Sequence, residues 1–218
     1  LNMKTLIKIT SLALLVVLIS SCMNSHIYKG DRYYDAIAYA KAIPHYEKVY
    51  SKNSNPEYGL KLADSYFKVG DYLNAEEVYA EVFKKAPNKD LPYFNYAKSL
   101  MANGKYEEAK TVLEGYLVNH KGDPVAQVLL NSCNSINDRY RDTTLYELNP
   151  LNTEGFSNAF SVTEYQNGIV FSGDQEVYSG RKKNPWTGDS YLDLYEMEKS
   201  EDGTWMDPKL LSGDVNGP

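Results

Sequence analysis

The chain has 218 residues, room for one or two domains, and its 43% hydrophobic and 24% charged residues are ordinary for a globular protein. The formal charge is −6, and it becomes more acidic once the segment holding Lys4 and Lys8 is discounted. A nucleic-acid binder needs a basic footprint, and the only basic run beyond that segment, Arg181-Lys182-Lys183, reads as a solvated loop, so nucleic acid is excluded as a partner. The 20 tyrosines suit helix pairs and strands alike and decide nothing alone.

The first element is an apolar run, Leu12 to Ile19, that follows Lys4 and Lys8 and stops at Ser20-Ser21-Cys22. It is too short to span a bilayer, which takes roughly 20 apolar residues. A basic start, an apolar segment and small residues at its end indicate a secretory signal peptide over residues 1–21, with Met3 as the expected initiator. Ile19-Ser20-Ser21-Cys22 resembles the lipobox of bacterial lipoproteins. That resemblance implies a covalent lipid on Cys22, which becomes the first mature residue at the head of a short lipidated linker, 22–27. The alternative is an ordinary cleaved signal with an unrelated cysteine. Cys133, the only other cysteine, lies in a helical segment and reads as a small buried apolar residue.

A repeat follows. The segments from Pro56 and from Asp90 align without a gap at an offset of 34, pairing Ala63 with Ala97, Gly70 with Gly104, Tyr72 with Tyr106 and Ala75 with Ala109. An earlier, less complete copy places Tyr39 and Ala42 at the spacing of Tyr72 and Ala75. Apolar residues recur at intervals of three and four before Gly70 (Leu62, Tyr66, Val69) and after it (Ala75, Val78, Tyr79, Val82), so two amphipathic helices meet at a glycine. Gly70 and Gly104 provide the left-handed ends, the paired alanines allow close helix approach, and Pro87 is the expected stop of the second helix.

These residues resemble the tetratricopeptide repeat, whose small residues at positions eight and twenty and Gly-Asp-Tyr turn match Ala63, Ala75 and Gly70-Asp71-Tyr72. The departures are Gly59 and Tyr93 at the usual tryptophan position, and Lys121 where a closing proline is common. The segment Asp123 to Arg139 reads as one further helix, with Asp123 as cap, Pro124 at the first position, and Val125, Val128, Leu129 and Ile136 sealing the end of the solenoid. The solenoid with this cap is expected over 28–141. The resemblance implies a concave groove for protein partners, lined by Leu60, Asp64, Phe67 and Lys68 in one repeat and Phe94, Lys98 and Met101 in the next. Phe67 and Phe94 are candidate anchors for a partner segment; the alternative is that they pack against the neighbouring helix.

Beyond Asn149-Pro150 the helical period ends. NAFSVTEY, GIVFSG, SYLDLYEME and TWMDPKLL read as short strands divided by turn signals at Gln166-Asn167-Gly168 and Asp202-Gly203. The alternation around Leu192 and Leu194 indicates a strand interior to a sheet. Asn167-Gly168-Ile169-Val170-Phe171-Ser172 and Tyr191-Leu192-Asp193-Leu194-Tyr195 resemble the first blade of propellers that follow tetratricopeptide repeats in Bacteroidetes outer-membrane lipoproteins. Ser172-Gly173-Asp174-Gln175 departs from the common Ser-Asp-Arg continuation. The expected architecture is α+β and multidomain: an α-solenoid, then the start of an antiparallel β-propeller over 142–218. A ring takes about four to eight blades, so the chain is expected to be the N-terminal part of a longer protein.

The residues that carry chemistry elsewhere are sparse. His26, His45 and His120 lie in separate segments at no metal-ligand spacing, and Glu76-Glu77 and Glu107-Glu108 read as solvated helix faces. Asp189, Asp193, Asp202 and Asp207 are scattered through the strand region, where Asp202 and Asp207 suit turns. With no phosphate loop and no serine elbow, the expectation is neither an enzyme nor a metal or cofactor binder, apart from the lipid. The architecture resembles a lipid anchor, repeats, propeller and a later OmpA-like domain, as in the PorE-type component of the type IX secretion and gliding apparatus. That implies a docking scaffold in an envelope complex, tied to peptidoglycan only through a domain not present. The absence of acidic residues in Met23-Asn24-Ser25-His26 implies the periplasmic side of the outer membrane. The rivals are an envelope hydrolase whose catalytic domain lies further on, and a glycan-capture lipoprotein using Trp186 and Trp205.

Overall fold

The computed structural model describes residues 23–86, 92–139, 149–175 and 183–216. The signal segment, Cys22, Pro87, Arg181 and Lys182 lie outside the described residues. The chain divides into two compact units at about residue 141, one of helices and one of strands.

In the helical unit, α1 runs over 23–35, α2 is Tyr39–Asn53, α3 Pro56–Val69, α4 Tyr72–Lys85, α5 Tyr93–Ala102, α6 Tyr106–Asn119, α7 Pro124–Asn134 and α8 Ile136–Arg139. Consecutive helices pack pairwise from α2 through α7. Residues 23–27, expected in a linker, are therefore helical. The first repeat is longer than its sequence suggests, because Gly30 takes the place of the small residue found at Ala63 and Ala97. A methyl group on Gly30 would stand 2.8 Å from the Tyr46 ring.

The close-packing positions all reach zero exposure: Ala42, Ala63, Ala75, Ala97 and Ala109. Three apolar layers form with them, one holding Tyr46, Tyr50, Leu62 and Val82, a second Tyr79 with Ala63 and Ala75, and a third Leu100, Leu113 and Cys133. Burying each large side chain stabilises the unit by roughly 1.5–3 kcal/mol. The helix ends follow the local chemistry. The Asn55 side chain accepts from the Glu57 amide ahead of Pro56, Asp71 accepts from Asn74, and Asp123 accepts from Val125 and Ala126. Gly70 closes α3 at φ 87° in open space, where only the backbone conformation demands glycine.

The terminal helix is not continuous: it breaks at Ser135, and the seal differs from the expected one. Leu129, Leu130 and Cys133 pack on α5 and α6, whereas Val125 and Val128 are exposed. Burial pushes the Cys133 thiol pKa up and keeps it inert.

The strand unit is one antiparallel sheet in the order β1-β2-β3-β4, with β1 Phe156–Tyr165, β2 Gly168–Gln175, β3 Asp193–Glu198 and β4 Lys209–Leu210. The β3 strand is interior. One face of β2 and β3 carries Ile169, Phe171, Tyr195 and Met197, covered in part by Leu151, Phe156 and Trp205. From Ser157 onward β1 is exposed on both faces, and its register shifts twice, with Ser161 at φ 57°. The sheet is open, and no described strand closes it into a ring.

The first hairpin turn lies at the expected Gln166-Asn167-Gly168. Tyr165 pairs with Gly168, so the loop is Gln166-Asn167, and Gln166 rather than Gly168 takes the positive φ of 48°. Gly168 is required for another reason: a methyl group there would lie 2.0 Å from the Met197 carbonyl oxygen.

Candidate functional site

The first helices of successive repeats, α3 and α5, lie near each other in the stack, which sets the candidate groove residues on adjacent repeats. Their environments differ. Leu60 packs against both core layers of the first two repeats, and Phe67 stands edge-on to Tyr72 with ring centroids 5.6 Å apart. Phe94 makes the same kind of contact with Tyr116 at 5.0 Å, and Met101 packs on the layer around Leu100. All four are half-buried, so they serve helix packing while keeping part of their surface. Lys68 and Lys98 are exposed.

Asp64 has an internal role. Its carboxylate accepts from Tyr34 Oη at 2.6 Å, from Asn95 Nδ2 at 2.9 Å and from Tyr79 Oη at 3.4 Å. Burial, followed by the Asp64 charge, raises the pKa of the Tyr79 phenol well above its ordinary value and keeps it a donor. Asp31 does the same one repeat earlier, accepting from Tyr46 at 2.8 Å and from Lys61 Nζ at 2.6 Å.

Glu76, expected on a solvated face, is instead buried at 8% exposure. It accepts from Asn103 Nδ2 at 2.7 Å and from Lys105 Nζ at 2.5 Å, so it joins α4 to the turn before α6. Its hydrogen bond to Lys105 raises the lysine pKa. Glu77, Glu107 and Glu108 are exposed.

The histidines are not all apart. His26 Nδ1 and His45 Nδ1 lie 2.9 Å from one another, and Tyr33 stacks on the His45 ring. Their separation of nineteen residues hides this pairing. The signal was the repeat itself, which places α1 against α2 once helix is extended back to residue 23. Among the described residues no group of three or more His, Cys, Asp or Glu is arranged to hold a metal. Cys22 lies outside the described residues.

In the strand unit Asp174 is buried and accepts from the Asn158 amide at 2.5 Å and from Asn158 Nδ2 at 2.8 Å, holding β1 at its irregularity. Asp202 organises its turn through Ser200 Oγ and the Thr204 amide, and these hydrogen bonds pull its pKa down to about 2. Trp205 belongs to the strand core, with the Lys199 ammonium 4.6 Å from its ring centroid. Among the described residues no helix is long and apolar enough to cross a membrane.

Residues 35–116 match the family model described as anaphase-promoting complex, cyclosome, subunit 3. The chain is similar to the first TPR domain of Spaghetti (RPAP3), solved bound to the HSP90 peptide SRMEEVD. That match has 22% identity and a TM-score of 0.45, covering 53% of this chain and 95% of that one. It is also similar to the TPR2AB domain of yeast Sti1 in a complex with HSP90, at 16% identity and a TM-score of 0.40, covering 59% of this chain and 52% of that one. No curated protein matches the sequence. The helical unit is a stack of helix pairs that matches this family model over residues 35–116, and a small antiparallel sheet follows it.

Proposed function

We propose that the repeat unit docks an extended segment of a protein partner across α3 and α5, and that the chain is a scaffold in a cell-envelope complex. In this reading a lipid on Cys22 holds the chain to the periplasm-facing leaflet of the outer membrane. The sheet begins a propeller, and a later domain reaches peptidoglycan, as in the type IX secretion and gliding apparatus. The chain then acts by binding, without catalysis, metal or cofactor.

One observation supports the docking surface above the others. Neighbouring first helices present exposed ammonium groups, Lys68 and Lys98, beside half-buried Phe67, Phe94 and Met101. This mixture of aromatic, thioether and cationic groups suits a peptide with apolar and acidic side chains. The anchor and the compartment are supported by the resemblance of Ile19-Ser20-Ser21-Cys22 to a lipobox.

Pull-down from envelope extracts tests the docking surface. Lys68→Glu with Lys98→Glu leaves the packing residues in place, so partner recovery is expected to fall while helicity is kept; unchanged recovery counts against the groove. Intact-mass analysis of the mature protein tests the anchor, and an unacylated form in soluble extracts overturns it.

A further inference from the structure

This acidic chain concentrates positive charge where its first two helices meet. The His26–His45 contact stands beside a cleft of about 260 Å3 lined by Met23, His26, Lys48, Ser51 and Lys52. Lys48 and Lys52 are one helical turn apart on α2, Lys29 is one turn beyond His26 on α1, and all three are exposed. Desolvation and then the charges of Lys48, Lys29 and Lys52 act on the His26 ring to disfavour its protonation. Among the described residues none of these lysines lies within 4.0 Å of a carboxylate, in contrast to Lys61, Lys85, Lys105 and Lys110. Such a cluster repels itself, and an anion bound between its members removes that repulsion.

We propose that this surface, formed by Met23, His26, Lys29, Lys48 and Lys52, seats on the phosphate headgroups of an anionic membrane leaflet. It forms the second, electrostatic half of an attachment whose first half is the lipid on Cys22. Met23 selects a membrane over an acidic peptide, because it lines the cleft and is also bonded to Cys22. Acyl chains on that thiol belong to the residue next in sequence to the cleft-lining one. Its thioether suits the boundary between headgroups and hydrocarbon. The proposal rests on the anchor reading for the identity of the leaflet, whereas the charge chemistry stands without it.

The test uses the chain from residue 22 to residue 218 with Cys22→Ser, so that no acyl chain contributes, and phosphatidylcholine vesicles with and without phosphatidylglycerol. Sedimentation with the phosphatidylglycerol vesicles is expected, and it weakens as salt rises. Each lysine among Lys29, Lys48 and Lys52 replaced by alanine lowers partitioning by about fivefold. Lys48→Arg with Lys52→Arg retains it. Equal binding to both vesicle types overturns the proposal, as do indifference to the alanine variants and binding of inorganic phosphate or a polyglutamate peptide without vesicle binding. Failure of the anchor reading appears separately, as absence of acyl mass on the wild-type mature protein.

Discussion

Asp64 accepts the hydroxyl of Tyr79 from the second helix of its own repeat, and the same carboxylate takes Asn95 from the first helix of the next. Asp31 stands in the equivalent place, taking Tyr46 from its own repeat and Lys61 from the next. The stack therefore carries a repeated polar link beneath its apolar one. It ends at the third repeat, where Lys98 and Leu113 occupy the places of Asp64 and Tyr79 and form no such pair.

This link predicts a stability effect at a position first read as part of a binding groove. Asp64→Ala leaves Tyr34, Asn95 and the fully buried Tyr79 hydroxyl without their charged acceptor. A loss of about 3 kcal/mol is expected, and Asp64→Asn loses less because one acceptor oxygen remains. Urea unfolding followed by helical circular dichroism checks it; a shift in midpoint no larger than that of an exposed Lys98→Ala control removes the structural role.

Much of the helical unit was legible because its information is periodic. The offset of 34 and the alanines that reach zero exposure are written in one-dimensional spacing, and so are the left-handed glycines. The pairing of His26 with His45, the burial of Glu76 and the internal role of Asp64 were not legible, because each depends on a partner brought in by packing. The groove residues were placed by analogy, and that analogy says nothing about which side chains their neighbours occupy. In the sheet, Asn-Gly suggested the turn, but the neighbouring strand decided where the glycine sat.

Two of the helix-interior glycines, Gly59 and Gly115, have opposite signs. A methyl group at Gly59, the usual tryptophan position, meets Val82 at 2.6 Å and Tyr50 at 2.7 Å, because the Tyr50 ring already fills that space. Gly59→Ala is expected to destabilise the helical unit by about 1–3 kcal/mol through overpacking. At Gly115 on α6 nothing lies within 4 Å, so Gly115→Ala stabilises by roughly 0.5–1 kcal/mol by restricting the unfolded chain. Thermal unfolding of both variants checks the pair, and stabilisation at Gly59 contradicts the packing argument.

Gly168→Ala should act on the strand unit alone. The obstructing atom is a backbone oxygen, Met197 O, which cannot rotate aside as a side chain does. The β2–β3 ladder must separate at Gly168↔Glu198 and Ile169↔Met197. Amide hydrogen exchange is expected to show lost protection across β2 and β3 with α2 to α6 unchanged. Retained protection at Met197 and Ile169 refutes the close approach.

Stability should fall as the solution is made acidic through the range where imidazoles titrate. His26 and His45 both have pKa values below the ordinary 6.5, first because burial removes water from the rings and then because Lys48 and Lys29 face them, with Lys52 adding to His26 and His26 acting on His45. A contact between two Nδ1 atoms needs one to donate and the other to accept, so protonating the acceptor destroys it. Between 6.5 and the lowered values the unfolded chain binds more protons than the folded chain, so the sign is fixed. The contribution is complete above about pH 6.5 and is lost as pH falls through the folded values. Melting temperatures of the wild type and of His26→Gln, compared between about pH 7.5 and about pH 5.5, separate this pair from other titrating groups. The variant is expected to lose less on acidification, and an equal loss in both proteins shows that the pair does not contribute.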